Sequence, residues 1–260
     1  MKNFGRALER RRVRYLLISG QATVLYGASM FSEDFDLWVQ PTEGNWQRFL
    51  DALEDRSALV YKLTPSLAMS YAIRGHGFHF LLPVPAASRA PIYLDVMAAP
   101  PRVTSFDECA RRKRWFVTDW GRVPVIGVRD LVELKKTRRL ADYEVISALV
   151  RNASRMRQTR EAWFWALSQT FEAEDMIAIW NRGKPAWRSG ALPDRAAVRM
   201  LAKERSTQRS RRRLALALAK EIESWRERDR QYWQPIMAEL KSLQREGRLL
   251  KEGSSVADVR

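Results

Sequence analysis

Asp34 and Asp36 stand two residues apart in the run Ser32-Glu33-Asp34-Phe35-Asp36-Leu37, whose alternation reads as a β-strand. Side chains at i and i+2 of a strand point to one face, so these two carboxylates would lie close enough to share a metal ion. Phe35, Leu37 and Val39 make the other alternating set, as a strand with one buried and one functional face requires. Asp95 is the lone carboxylate of a second such run, Pro91-Ile92-Tyr93-Leu94-Asp95-Val96-Met97, and is the natural third ligand or a base. Donors that are all oxygen suit Mg²⁺. Each acid also has a plain structural role open to it: Asp34 as a turn cap, Asp36 as a solvated strand residue, Asp95 as the partner of an arginine. It is their combination with the surrounding elements that favours a site.

Upstream, Tyr15 to Ile18 predicts a short buried strand, followed by a tight Ser19-Gly20 turn and a helix stopped by Gly27. Small residues at such a turn let the backbone approach a phosphate, and the helix start behind it offers free N–H groups to an anion. Downstream, the segment from Val125 to Tyr143 predicts a hydrophobic strand and then a helix. Lys135, Arg139 and Asp142 fall at i, i+4 and i+7, which predicts one helix face carrying all three.

A small-residue turn, a helix, Asp-x-Asp on a strand, a lone Asp on a later strand and a Lys-x-x-x-Arg-x-x-Asp helix, in this order, resemble the nucleotidyltransferase superfamily. The pattern is most similar to its minimal, abortive-infection (AbiEii) toxin-like branch, and the resemblance extends to about Tyr143. It implies an α/β (α+β) fold, a nucleotidyltransferase-like mixed sheet with flanking helices, followed by an all-helical C-terminal region. It also implies transfer of a nucleoside monophosphate from a nucleoside triphosphate to an acceptor hydroxyl, with a two-ion Mg²⁺ site.

On that resemblance Asp34, Asp36 and Asp95 hold the metal and, with Lys135, are catalytic. Ser19 and Gly20 receive the β- and γ-phosphates, and Ser32 either positions the turn or touches a phosphate. Lys135 or Lys136 neutralises the triphosphate, the two being separated only by their place on the helix, and Arg139 and Asp142 complete the nucleotide-binding set. Ser19 stands where the family's first glycine is expected.

The formal charge of +16, from 46 Lys and Arg against 30 Asp and Glu, points to a polyanionic partner, with RNA or DNA first. The densest basic stretch runs from Arg199 to Arg213; on a helix Arg205, Arg209 and Arg212 share a face, with Arg213 beside them, as a ridge that tracks phosphates. The expected acceptor is therefore RNA, such as tRNA, and in the toxin branch a neutralising antitoxin protein is a further partner. Two other functions stay open: AMP transfer to a protein, and a catalytically inactive module that binds nucleic acid or an antitoxin.

With 46% hydrophobic residues in 260, the chain can bury a core in one large or two modest domains. The boundaries expected are 1–145 for the nucleotidyltransferase core, 146–252 for a basic helical domain and 253–260 for a disordered polar tail. No apolar run reaches the length of a membrane span and the N-terminus lacks the apolar core of a secretory signal, so a cytoplasmic protein with no membrane partner is expected. Cys109 is the one cysteine and reads as an idle, buried thiol. His76 and His79 invite a metal reading, but three residues along a strand place them on opposite faces.

Overall fold

A computed structural model describes residues 1–83, 91–156, 159–187, 190–203 and 207–260. In chain order the elements are α1 (Lys2–Arg10), β1 (Tyr15–Ile18), α2 (Ser19–Leu25), β2 (Phe35–Val39), α3 (Glu43–Glu54), β3 (Leu59–Val60), α4 (Met69–Ile73), β4 (Phe78–Leu82) and β5 (Ile92–Met97). Then come α5 (Phe106–Arg111), β6 (Arg114–Thr118), β7 (Gly121–Val125) and α6 (Val128–Leu134). Helices alone follow: α7 (Ala141–Met156), α8 (Arg160–Gln169), α9 (Ala173–Trp187), α10 (Ala196–Lys203), α11 (Gln208–Arg245) and α12 (Val256–Val259). The fold is thus a mixed sheet with flanking helices followed by a helical region, as expected from the sequence.

Two compact units form, the first from Met1–Leu25, Met30–Leu134 and Tyr232–Arg260, the second from Tyr26–Ser29 and Lys135–Gln231. In the first, seven strands make one sheet in the order β3-β4-β5-β2-β1-β7-β6. β2 lies parallel to β5 and antiparallel to β1, while β1 is parallel to β7. As an interior strand β2 is buried on both faces past Leu37, which is why Leu37, Trp38 and Val39 are all apolar. Helix α3 lays its predicted apolar stripe on the sheet, with the Trp46 ring 5.1 Å from Phe78 and Phe49 6.3 Å from Phe80. Such aromatic pairs add to the area they bury.

The segment from Tyr71 to Leu82 divides into α4, a turn at Gly75 and β4. The polar C-terminus, expected to be disordered, is instead ordered along the edge strand β3. Val60 N–H donates to Ser254 (2.8 Å), Gly253 N–H donates to Val60 (2.9 Å), and Val256 behind them is fully buried. Covering an edge satisfies backbone groups that would otherwise invite another strand. Arg260 then pairs with Asp51 (2.5 Å) and Glu54 (2.7 Å).

In the second unit the apolar stripe between Trp163 and Trp180 is shared between α8 and α9. Thr170 takes an extended backbone and ends α8, and Phe171 N–H donates to the buried Ser147 hydroxyl at 3.0 Å. The stripe packs inward: Tyr143 meets Phe171 edge-on at 5.0 Å, and Trp180 and Trp187 stack at 6.0 Å. Gly183 lies within α9, and the space a Cβ would need there is taken by the Trp187 ring. Pro235 lies inside the continuous α11. Among the described residues no helix is long and apolar enough to cross a membrane.

Candidate functional site

Strand register builds the site. Asp36 of β2 lies opposite Asp95 of the parallel β5, so two carboxylates share one sheet face on strands about 4.8 Å apart. On its other side Asp36 is opposite Ile18, the last residue of β1, and the chain turns at the next residue into α2. The Ser19-Gly20 turn therefore begins directly beside Asp36. Ser19 has φ of 56°, in the left-handed region that favours glycine, which matches its standing where the resemblance expects one.

Gly20 owes its size to Ser32. A Cβ on residue 20 would lie 2.1 Å from Ser32 Oγ and 2.9 Å from Ser32 Cβ, so the turn and the loop before β2 are in direct contact. Gln21 Nε2 donates to the Ser32 carbonyl at 2.7 Å, and Ser32 Oγ donates to the Asp34 carbonyl at 3.3 Å. Ser19, Gly20, Ser32, Asp34, Asp36 and Asp95 are thus joined through one turn, one loop and two strands.

The expected triad of carboxylates is not gathered as a ligand set. Among the described residues no group of three or more His, Cys, Asp or Glu side chains could hold a metal ion. Asp34 precedes β2, in a bend, so strand alternation does not carry it to the face of Asp36. The donor chemistry of the Asp36–Asp95 pair suits a hard divalent cation and supplies two of its oxygen ligands.

Asp95 has a partner that the sequence reading missed. His79 of β4 is opposite it in register, and Nδ1 lies 2.7 Å from Asp95 Oδ1. An ionised Asp95 accepts here, so Nδ1–H donates and the carboxylate is held in one orientation. Only the β4–β5 register, set across the connection after Leu82, could have revealed this. His79 also borders a cavity of ≈ 620 Å³ with Lys62, Met237, Leu240 and Leu250. His76 turns elsewhere, its buried Nε2 2.8 Å from Glu239 Oε2, so the two histidines do not meet at a common ligand.

The basic pattern behaves differently from its expected form. Helix α6 stops at Leu134 and α7 starts at Ala141, so Lys135 and Arg139 lie on the connection and not on one helix face with Asp142. They converge on Asp142 nonetheless: Lys135 Nζ donates at 3.0 Å, Arg139 Nε at 3.0 Å, and the Thr137 hydroxyl donates as well. The carboxylate sits in the first turn of α7, where negative charge is favoured, and draws the connection around itself. Burial pushes the Asp142 carboxyl up, but Lys135, Thr137 and Arg139 outweigh it and hold it below its ordinary value. Lys136 is also buried, its ammonium 4.4 Å over the Trp225 ring.

Of the expected nucleic-acid ridge, Arg205 lies outside the described residues. Arg209, Arg212 and Arg213 share one face near the start of α11, and all three are exposed. Arg211 between them is paired with Glu174 at 3.3 Å. Cys109 is fully buried in α5, and burial pushes its thiol up, which keeps it unreactive. No protein-family model matches this chain, and no curated protein is significantly similar to it.

Proposed function

We propose that the protein is a Mg²⁺-dependent nucleotidyltransferase that moves a nucleoside monophosphate from a nucleoside triphosphate to an acceptor hydroxyl on RNA, tRNA being the leading acceptor. The observation that carries this reading is the in-register Asp36–Asp95 pair beside the Ser19-Gly20 turn. Two like charges on neighbouring strands repel, an arrangement that a catalytic site retains for the cation it holds. Mg²⁺ held by Asp36 and Asp95 would offset charge on the attacking and leaving oxygens.

The rest of the work falls to the chain. Ser19 and Gly20 bring a backbone close to the triphosphate, Ser32 fixes that turn, and His79 keeps Asp95 in the orientation that ligation needs. The cavity bordered by His79 and Lys62 reaches the carboxylates only through His79, since neither Asp36 nor Asp95 lines it.

The test incubates the protein with each α-labelled nucleoside triphosphate and Mg²⁺, with cellular RNA or with RNA-free lysate, beside Asp36→Asn and His79→Gln. Label is expected in RNA, lowered about a thousandfold by Asp36→Asn, which corresponds to ~4 kcal/mol of lost transition-state stabilisation. His79→Gln is expected to cost about 10- to 100-fold, as for an outer partner of a ligand. Label in protein would replace this reading with AMP transfer to a protein, and RNA binding without labelling would leave an inactive binding module, including one that binds an antitoxin.

A further inference from the structure

A second cavity of ≈ 630 Å³ opens in the first unit, walled by α1, the β6–β7 hairpin and Phe106 of α5. Its volume falls within the range of small-molecule pockets, about 300–1,000 Å³. It is separate from the carboxylates: Leu37 lines it, whereas its neighbour Asp36 points to the other face of β2, and neither Asp36 nor Asp95 belongs to the lining.

Leu37 and Val123 make an apolar floor, and Trp115 and Trp120 bring two indoles to the wall. Trp120 is held edge-on by Phe35, with ring centres 5.1 Å apart. Trp115 is half-exposed, with the Arg122 guanidinium 4.4 Å over its ring and the Lys113 ammonium 5.7 Å away. Tyr15 is a half-buried member of the lining, its phenol pushed up to about 12 by burial and by Glu9, so it stays a neutral hydrogen-bond donor.

The charge of the lining is one-sided. Lys2, Arg6, Arg12, Arg14, Lys113 and Arg122 face one acid, Glu9. Arg14 is neutralised by Asp107 at 2.6 Å, but among the described residues the side chains of Lys2, Arg6 and Arg12 have no carboxylate partner. Clustered cations around a low-dielectric cavity repel one another, and an anion seated among them removes that cost. Indoles beside guanidinium groups add a surface for a planar ring.

We infer that this cavity binds a nucleoside phosphate, with its base on the Trp115 and Trp120 wall and its phosphate taken by Arg6, Arg12 and Arg122. A ligand needing both halves separates this site from a simple anion trap and from an apolar hole. A polynucleotide is the rival occupant, but an enclosed floor and a single pair of indoles suit one base.

Calorimetric titration of the full chain in EDTA, which silences any metal-dependent site, tests this. The probes are AMP, GMP, CMP and UMP, with the matching nucleosides, inorganic phosphate and a ten-nucleotide RNA as controls. At least one mononucleotide is expected to bind about tenfold more tightly than its nucleoside or phosphate alone. Arg6→Ala/Arg122→Ala and, separately, Trp115→Ala should each weaken it about tenfold or more, while Asp36→Ala changes it less than about twofold. All these side chains are exposed or half-exposed, and circular dichroism checks each fold. The proposal is overturned if no mononucleotide binds below about 1 mM, if loss follows Asp36→Ala and not the arginines, or if the RNA alone binds.

Discussion

Asp142 shows what a buried carboxylate surrounded by donors does to stability. Its side chain is 8% exposed, as is that of Lys135, so Asp142→Asn leaves a buried ammonium without its counter-charge. Breaking such a pair costs about 3–5 kcal/mol, which chemical denaturation at pH 7 would register. The pH dependence has a definite sign. The carboxyl is held below its ordinary value in the folded state, so its contribution is fully present above about pH 4 and is lost as pH falls through the depressed value. The stability gap between wild type and Asp142→Asn should therefore be flat from neutral pH to about pH 4 and narrow below it; a gap that widened on acidification would contradict the assignment. At this scale the sequence made the chemical types legible but not their partners. Asp36 and Asp95 could be read from alternation, whereas the bond between His79 and Asp95 depends on a register that no local pattern encodes.

Among elements, the loop before β2 and the start of α2 form one piece because Gly20 and Ser32 interlock. Gly20→Ala places a methyl group against Ser32, and overpacking of this kind costs about 1–3 kcal/mol. Ser32→Gly removes the obstacle, so in the double variant Gly20→Ala should become close to neutral, a coupling of about 1 kcal/mol or more in a double-mutant cycle. Additive effects would mean that the turn and loop are not in contact. Strands β1, β2 and β5 were legible because each is a short run with a strong apolar pattern. The break between α6 and α7 was not, since Lys135 to Leu140 has the composition of a helix and yields only because Asp142 gathers its side chains. The C-terminus misled in the opposite direction: a largely polar stretch carries Val256, whose burial beside β3 orders the rest.

For the whole molecule the governing number is the charge of +16, which fixes no fold but sets how the protein meets a polyanion. Many of the cations are already spent inside the protein: Lys135 and Arg139 on Asp142, Arg112 on Asp130, Arg226 and Arg230 on Glu223. Such pairs do not carry RNA without first giving up a carboxylate. Arg209, Arg212 and Arg213 are exposed together on one face of α11, where a phosphate backbone can reach them. Each phosphate contact contributes roughly 0.7 to 0.9 to the slope of log affinity against log salt concentration. Replacing all three arginines by alanine should therefore lower the magnitude of that slope by about 2 and weaken RNA binding evenly across sequences. Filter binding of labelled tRNA from low to moderate salt measures it. An unchanged slope would remove this face from the interface and direct the search to the cations of the first unit.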